Sequence, residues 1–447
     1  MRSTGGGNHV VPAPGHRLLR NRTRAGATTK WWVPSRRPEI RVTTLTSRDP
    51  LVTTVTTNSA ENRRRGETPL GRLARIVVPA LPGGALPLTP MAAHAAPATS
   101  DAPTSDVAAA VPEILGQVHD AQIHDAQIHD TRGITVTSVT KVSGLQRTWQ
   151  INYSTPSIDP AQTFDGQMAI RVTLPAGYAS HPDKHYPVLY LLPGGGSGRV
   201  RDWTDESGKQ GRAEQITADA DLITVTLEGG KVSWYSDWAN QSRGDADWLH
   251  HHLDEVIPFV DATFRTVASG KHRAIAGLSM GGYGAYHYAM EHPGMFSSVS
   301  AYSGAVDIES TSVRATVAEQ LVTSGYQPDS VWGPMVRTNK TLVEANPSSR
   351  EGADNLASIQ RDGTRLALYA GTGLGTGNPA AMAIETAVGA NTTALHVRLA
   401  ARQVPHTYIR YTTRTYGGFK CDGGHDWGCW NADLSQDLPL ILKAVRA

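Results

Sequence analysis

Ser279 lies in "GLSMG", Gly277 to Gly281, between the apolar run "HRAIA" and the helical pattern "GGYGAYHYAMEHP", which stops at Pro293. A serine at the turn from a strand into a helix, with a glycine two residues to either side, is the pattern of a nucleophile elbow. The turn is strained, and a Cβ on the flanking residues would strike the neighbouring strand or helix. Glycine removes those atoms. The hydroxyl then stands at the carboxyl edge of a sheet beside a helix N-terminus, where a developing oxyanion is favoured.

A serine hydroxyl is a poor nucleophile without a base, and the base needs an acid to orient it, in the chain order Ser, Asp or Glu, His. The downstream histidines are His287, His292, His396, His406 and His425. The first two fall in the helix after the elbow, His396 near the end of another helix, and His406 at the start of a strand. Only His425, in "KCDGGHDWGCWNADL", falls in a glycine-rich loop between the last predicted strand and the last helix. For the acid, "RLALYAGTGLGTGNPAAMAIE" has no carboxylate before Glu385, which makes Glu385 the leading candidate. Asp307, just beyond "FSSVSAYSG", is the alternative, and the residues alone leave both open. Asp422 and Asp426 stand too near His425 in sequence to buttress it. Cys421 and Cys429 flank the histidine; in an oxidising compartment a bridge would close that loop, and the alternative is two separate thiols. Two thiols with one nearby histidine fall short of a zinc site, so neither metal nor cofactor is expected.

The elements that must position these residues follow from periodicity. "TWQINYS", "QMAIRVTL", "YPVLYLL", "DLITVTL", "HRAIAG", "FSSVSAYS", "RLALYA" and "TYIRYT" read as strands, and "DWLHHHLDEVIPFVDATF" and "PAAMAIETAVGANTTALHVRLAA" read as helices. Strands alternating with helices predict one α/β domain over 137–447, with a mostly parallel sheet covered on both faces.

From about Tyr186 onward the chain resembles the esterase family that includes esterase D and, more narrowly, the antigen 85 mycolyltransferases. "YLLPGGG" resembles their "YLLPDG", "SWYSDW" their "SFYTDW", and "GGHDWGCW" their "GTHSWPYW". "VWGP" followed by Asn346-Pro347 recurs there in the same order. The resemblance implies an α/β-hydrolase fold and a Ser279–Glu385–His425 triad. It also implies an oxyanion hole from the N–H groups of Met280 and Gly196, with Trp427, Trp430 and Arg199 as candidate substrate-lining residues. Mycolyltransferases follow their "LLP" with an Asp and then an Arg that hold trehalose; this chain has Gly194 and Ser197 at the nearest places, with Arg199, Arg201 and Asp202 close by.

The front of the chain reads differently. Residues 1–95 hold 15 Lys and Arg against 4 Asp and Glu, a balance of +11, so a whole chain of +2 leaves −9 on the remainder. An acidic domain, and a basic front lacking interleaved aromatics, argue against nucleic-acid binding. Within 1–95, Arg63, Arg64 and Arg65 precede a proline-broken apolar stretch ending in Ala93-His94-Ala95. That suits a signal peptide rather than a membrane span. Residues 96–136 read as a low-complexity linker whose His119, His124 and His129 recur every five residues, a spacing that lines them up on neither helix nor strand. The expected protein is an exported serine enzyme acting on a small-molecule or lipid acyl ester, with water, a sugar or a glycerol as acceptor. A non-catalytic carbohydrate- or matrix-binding protein is the alternative from another class.

Overall fold

The computed structural model describes residues 132–196 and 198–446. The basic extension, the leader-like segment and the histidine repeat lie outside the described residues. Among the described residues, no helix is long and apolar enough to cross a membrane.

The middle of the sheet is built from short runs with neither face open to solvent. These are β4 (Val188–Leu192), β5 (Ile223–Leu227), β6 (Arg273–Leu278), β7 (Ser298–Tyr302) and β8 (Arg365–Gly371), all buried except for the half-buried Arg273 and Arg365 that open two of them. Strands covered on both sides need apolar side chains on both sides. In β4, Val188, Tyr190 and Leu192 enter one core, while Leu189 and Leu191 enter the other. Flanking them are β1 (Thr135–Lys141), β2 (Thr148–Ser154) and β3 (Met168–Thr173) on one side and β9 (Thr407–Tyr411) on the other. The order is β1-β2-β3-β5-β4-β6-β7-β8-β9, antiparallel as far as β5 and parallel from β5 onward. This is the α/β-hydrolase arrangement.

Three features depart from the sequence reading. β1 starts at Thr135, inside the segment read as linker; it buries Val136 and Val139 against β2 and turns threonines outward as an edge strand. The helix expected over 247–264 is wound as a π-helix at His251–Val256, where His251 Nδ1 meets Glu255 Oε2 at 2.5 Å and His251 Nε2 meets the Tyr153 hydroxyl at 2.9 Å. A small hairpin, β10 (Arg414–Tyr416) with β11 (Phe419–Cys421), follows β9 and carries the chain into the His425 loop.

One core is covered by the elbow helix Met280–Glu291, every residue of which is buried except the last. The other is covered by the C-terminal helix Trp427–Val445. On that helix the fully buried Asp437 accepts hydrogen bonds from the hydroxyls of Tyr302 (2.9 Å) and Tyr369 (2.9 Å) and from the Arg365 guanidinium (2.5 Å). It thereby ties β7 to β8 just beneath the strand ends where the site forms.

Close approach of the elbow helix to β4 sets a testable limit. A Cβ on Gly281 would lie 2.3 Å from the Leu192 carbonyl oxygen and 2.6 Å from that of Pro193, whereas one on Gly377 would meet nothing within 4 Å. Gly281→Ala is expected to destabilise the domain by about 1–3 kcal/mol, read as a lower urea midpoint, with Gly377→Ala near the parent. Equal midpoints for the two variants would contradict this packing.

Candidate active site

Ser279 joins β6 to the elbow helix with φ 53° and ψ −117°, a left-handed conformation that a non-glycine residue adopts only when its surroundings hold it. The hold is visible. Ser279 N–H donates to the Tyr302 carbonyl at 3.0 Å, and the Ser279 carbonyl accepts from Gly282 and Ala305 at 3.1 Å each. A Cβ on Gly277 would lie 2.2 Å from the Gly281 carbonyl oxygen, so glycine is what lets the strand and helix meet. Met280 opens the helix, and its N–H belongs to the first turn, which has no intrahelical acceptor.

Glu385 stands in the second turn of the helix Pro379–Ala401 and is fully buried. Its Oε1 accepts from Gly371 N–H at the end of β8 (2.5 Å) and from the Ser303 hydroxyl just past β7 (2.9 Å). Its Oε2 meets His425 Nδ1 at 2.8 Å. A buried carboxylate must be paired and hydrogen-bonded to be tolerated, and these three partners do that. Ser303 is also left-handed, φ 50°, and its N–H donates to the Tyr369 carbonyl at 2.7 Å. Asp307 faces elsewhere: Asn346 Nδ2 donates to it at 3.0 Å, and the Arg398 guanidinium lies 3.5 Å away. Asn346 also bonds Glu309, so the Asn346-Pro347 motif staples the loop after β7.

The His425 loop is braced from several sides. Cys421 and Cys429 form a disulfide around it, with an S–S distance of 2.10 Å. Asp426 caps the C-terminal helix, its Oδ1 accepting from Gly428 N–H (2.8 Å) and Cys429 N–H (3.2 Å). Burial, together with the neighbouring Asp422 carboxyl, pushes Asp426 up to about 6. Against burial, hydrogen bonds from Asp426 and Thr376 hold Asp422 below the usual carboxylate range. With Cys429 they form the one three-residue metal-like grouping among the described residues, but its sulfur is already in the disulfide.

Trp430 sets its ring edge-on to His425 at 4.9 Å, Trp427 does the same to Trp430 at 5.1 Å, and Trp203 to Trp427 at 5.3 Å. Trp427 and Trp430 therefore form an edge-to-face series that ends against the histidine. Arg199 is ion-paired with Asp165 at 2.6 Å and stacked 4.5 Å over Phe164.

Of the glycine loop after β4, two residues touch the elbow. A Cβ on Gly194 would lie 3.4 Å from Ser279 Cβ, and one on Gly195 would lie 3.5 Å from Met280 Sδ; one on Gly196, φ 83°, would meet nothing. The structure thus gathers Ser279, the glycine loop, Glu385 and His425 at the carboxyl ends of β4, β6, β7 and β8. Sequence reasoning passed over Ser303 and Gly371, both of which hold Glu385. Ser303 had one visible signal, a polar residue just past a buried strand in "AYSG".

The loop closed by the disulfide is eight residues long in sequence separation, for which chain entropy gives a stabilisation of about 2–3 kcal/mol. Replacing both cysteines by serine is expected to leave far-UV circular dichroism native while lowering ester turnover, because the loosened segment carries His425. Two titratable thiols in the native protein, or unchanged turnover in the double variant, would contradict this.

Comparison with known proteins accords with the geometry. The sequence profile of the "Putative esterase" family matches residues 161–441. Esterase Rv1288 of Mycobacterium tuberculosis (strain H37Rv) is 35% identical over 158 residues, 35% of this chain and 32% of that protein, so the match spans about a third of the relative's length. The diacylglycerol acyltransferase/mycolyltransferase Ag85A of Mycobacterium leprae is 25% identical over 277 residues, 58% of this chain and 76% of the relative. Among solved structures, MPT51 of M. tuberculosis superposes with a TM-score of 0.50 at 20% identity, covering 63% of this chain and 94% of its own. FphF of Staphylococcus aureus, a fluorophosphonate-binding serine hydrolase, superposes with a TM-score of 0.50 at 17% identity, covering 67% and 99%. Both share the α/β-hydrolase fold. With the family profile matching well over half its length, the chain belongs to the "Putative esterase" family of ester hydrolases and acyltransferases.

Proposed function

We propose that this protein is an exported serine enzyme that cleaves small-molecule or lipid acyl esters through an acyl-enzyme on Ser279. One observation carries the reading: the buried Glu385 carboxylate meets His425 Nδ1 at 2.8 Å, while Ser279 occupies a strained elbow one strand from the serine that also holds Glu385. With Nδ1–H donated to Glu385, His425 keeps the Nε2 lone pair for the base role. Ser279 Oγ attacks the ester carbonyl as Nε2 takes its proton, and the tetrahedral oxyanion is held by backbone N–H groups. Met280 supplies one. The other comes from the Gly194–Gly196 run, where Gly196 is the residue the family pattern indicates and Gly195 is the one packed on Met280. The imidazolium returns its proton to the departing alcohol, and Glu385 stabilises that charge. A second nucleophile, activated the same way, then releases the acyl group.

Water is the acceptor favoured by the surroundings. In mycolyltransferases the loop after "LLP" offers an Asp and an Arg to a sugar. Here that loop begins with three glycines, and the nearby Arg199 is occupied by Asp165 and Phe164. Transfer to a sugar or glycerol hydroxyl remains the second reading, supported by the likeness to Ag85A. Export is supported by the leader-like sequence and by a disulfide, which persists in oxidising compartments.

Steady-state turnover of p-nitrophenyl butyrate tests the roles. Ser279→Ala and His425→Ala should each lower kcat by more than about a thousandfold, because such groups act as a unit. Glu385→Gln should cost less than either, though still a large factor, and Asp307→Asn should stay within about threefold of the parent. A crippled Asp307→Asn beside a near-normal Glu385→Gln would assign the acid to Asp307 instead.

A further inference from the structure

An oxyanion hole works only if its backbone N–H groups are already aimed before the reaction begins. Glycine, the residue that fills the loop after β4, is the least able to hold such an aim by itself. The aim therefore has to come from outside the loop, and its carbonyls record where.

The Leu192 carbonyl accepts from Trp203 Nε1 at 3.0 Å. The Pro193 carbonyl accepts from the Tyr235 hydroxyl at 2.7 Å. The Gly194 carbonyl accepts from Gly198 N–H at 3.0 Å, and the Gly198 carbonyl from Gly229 N–H at 2.7 Å. Across a planar trans peptide, C=O and N–H point in opposite directions, so fixing a carbonyl fixes the N–H of the next residue. Tyr235 thus sets the Gly194 N–H, and the turn closed by Gly198 sets that of Gly195.

Both aromatic donors are fully buried and positioned by tight packing. A Cβ on Gly284 of the elbow helix would lie 2.5 Å from the Tyr235 ring, so the ring is wedged between that helix and the loop. Tyr235 itself sits at φ 47°, next to Trp234 at φ 48°, a strained pair that aims the phenol inward. Burial holds the phenol well above its ordinary pKa, so it donates to Pro193 throughout the working pH range. Trp203 is the far end of the ring series that runs through Trp427 and Trp430 to His425. The same side chain therefore braces the loop and the support of the base.

We infer that Tyr235 and Trp203 are positioning residues of the oxyanion loop: by holding the Pro193 and Leu192 carbonyls they fix the two peptides from which the glycine run starts, Trp203 through a peptide that carries no N–H of its own, so that the N–H the run offers to the tetrahedral intermediate is already in place. The inference rests on the acyl-enzyme reading above. It assigns a task to the tyrosine of "SWYSDW", which contacts no reacting atom.

Tyr235→Phe and Trp203→Phe each remove one donor and leave a ring. The test measures kcat and KM for p-nitrophenyl butyrate, normalised to Ser279 sites titrated with a fluorophosphonate, together with the inhibition constant of butylboronic acid, whose tetrahedral adduct needs the oxyanion hole. Expected is a roughly 10- to 100-fold fall in kcat per titrated site, a matching loss of boronate affinity, and KM within about twofold. Substitution of 4-aminophenylalanine at 235, which keeps a donor, should restore most of kcat. Purely structural roles would lower the melting temperature and the titratable fraction but leave kcat per site and boronate affinity unchanged, and that result overturns the inference. If one variant fails to fold, the other carries the test. Absence of label on Ser279 in the parent protein would defeat the acyl-enzyme reading itself, whereas normal labelling with unaffected variants defeats only this inference.

Discussion

A carboxylate with no access to water has to be satisfied by the protein around it, and at Glu385 that requirement draws the site together. Its partners come from three separate places: Gly371 at the end of β8, Ser303 beyond β7, and His425 from the loop before the last helix. Removing any one would leave a buried charge short of a donor, which costs more than an ordinary hydrogen bond contributes. The strand ends, the acid helix and the His425 loop are therefore held in one register. The imidazole is held by the acid at Nδ1 and by the edge-on contact with Trp430.

On the other side of the site the constraint is steric. The elbow needs a left-handed serine and a helix laid against β4, so glycine is required where backbone meets backbone. The family motifs then explain one another through packing. Trp332 of "VWGP" donates from Nε1 to the Ser236 hydroxyl at 3.1 Å, and its ring lies edge-on to Trp234 at 5.6 Å and to Tyr283 of the elbow helix at 5.6 Å. Segments far apart in sequence thus form one support under the nucleophile's helix and, through Tyr235, under the loop that faces it.

Much of this was legible in the sequence because it leaves a local trace. Buried parallel strands are short apolar runs, the acid helix is a long alanine-rich stretch, and the elbow is a glycine pattern between a strand and a helix. What stayed hidden depends on distant partners. β1 has too weak an alternation to stand out, and it is a strand because β2 pairs with it. The π-winding at His251 coincides with a bond network that reaches Tyr153, 98 residues away. Glu385 led as the acid and Asp307 stayed open as its alternative; Asn346 and Arg398 occupy Asp307, and no residue pattern announces that. The hydroxyls of Ser303 and Tyr235 act over 82 and 42 residues of separation, which periodicity cannot register.

The central claim is that Ser279 carries the acyl group. The most direct measurement is intact-protein and peptide mass spectrometry after an acid quench of the enzyme turning over p-nitrophenyl butyrate. The account predicts one added butyryl group per chain, localised by fragmentation to Ser279 within the tryptic peptide that begins at Ala274, and lost in Ser279→Ala. An adduct on another residue, or none on folded protein that is actively releasing p-nitrophenol, would contradict it.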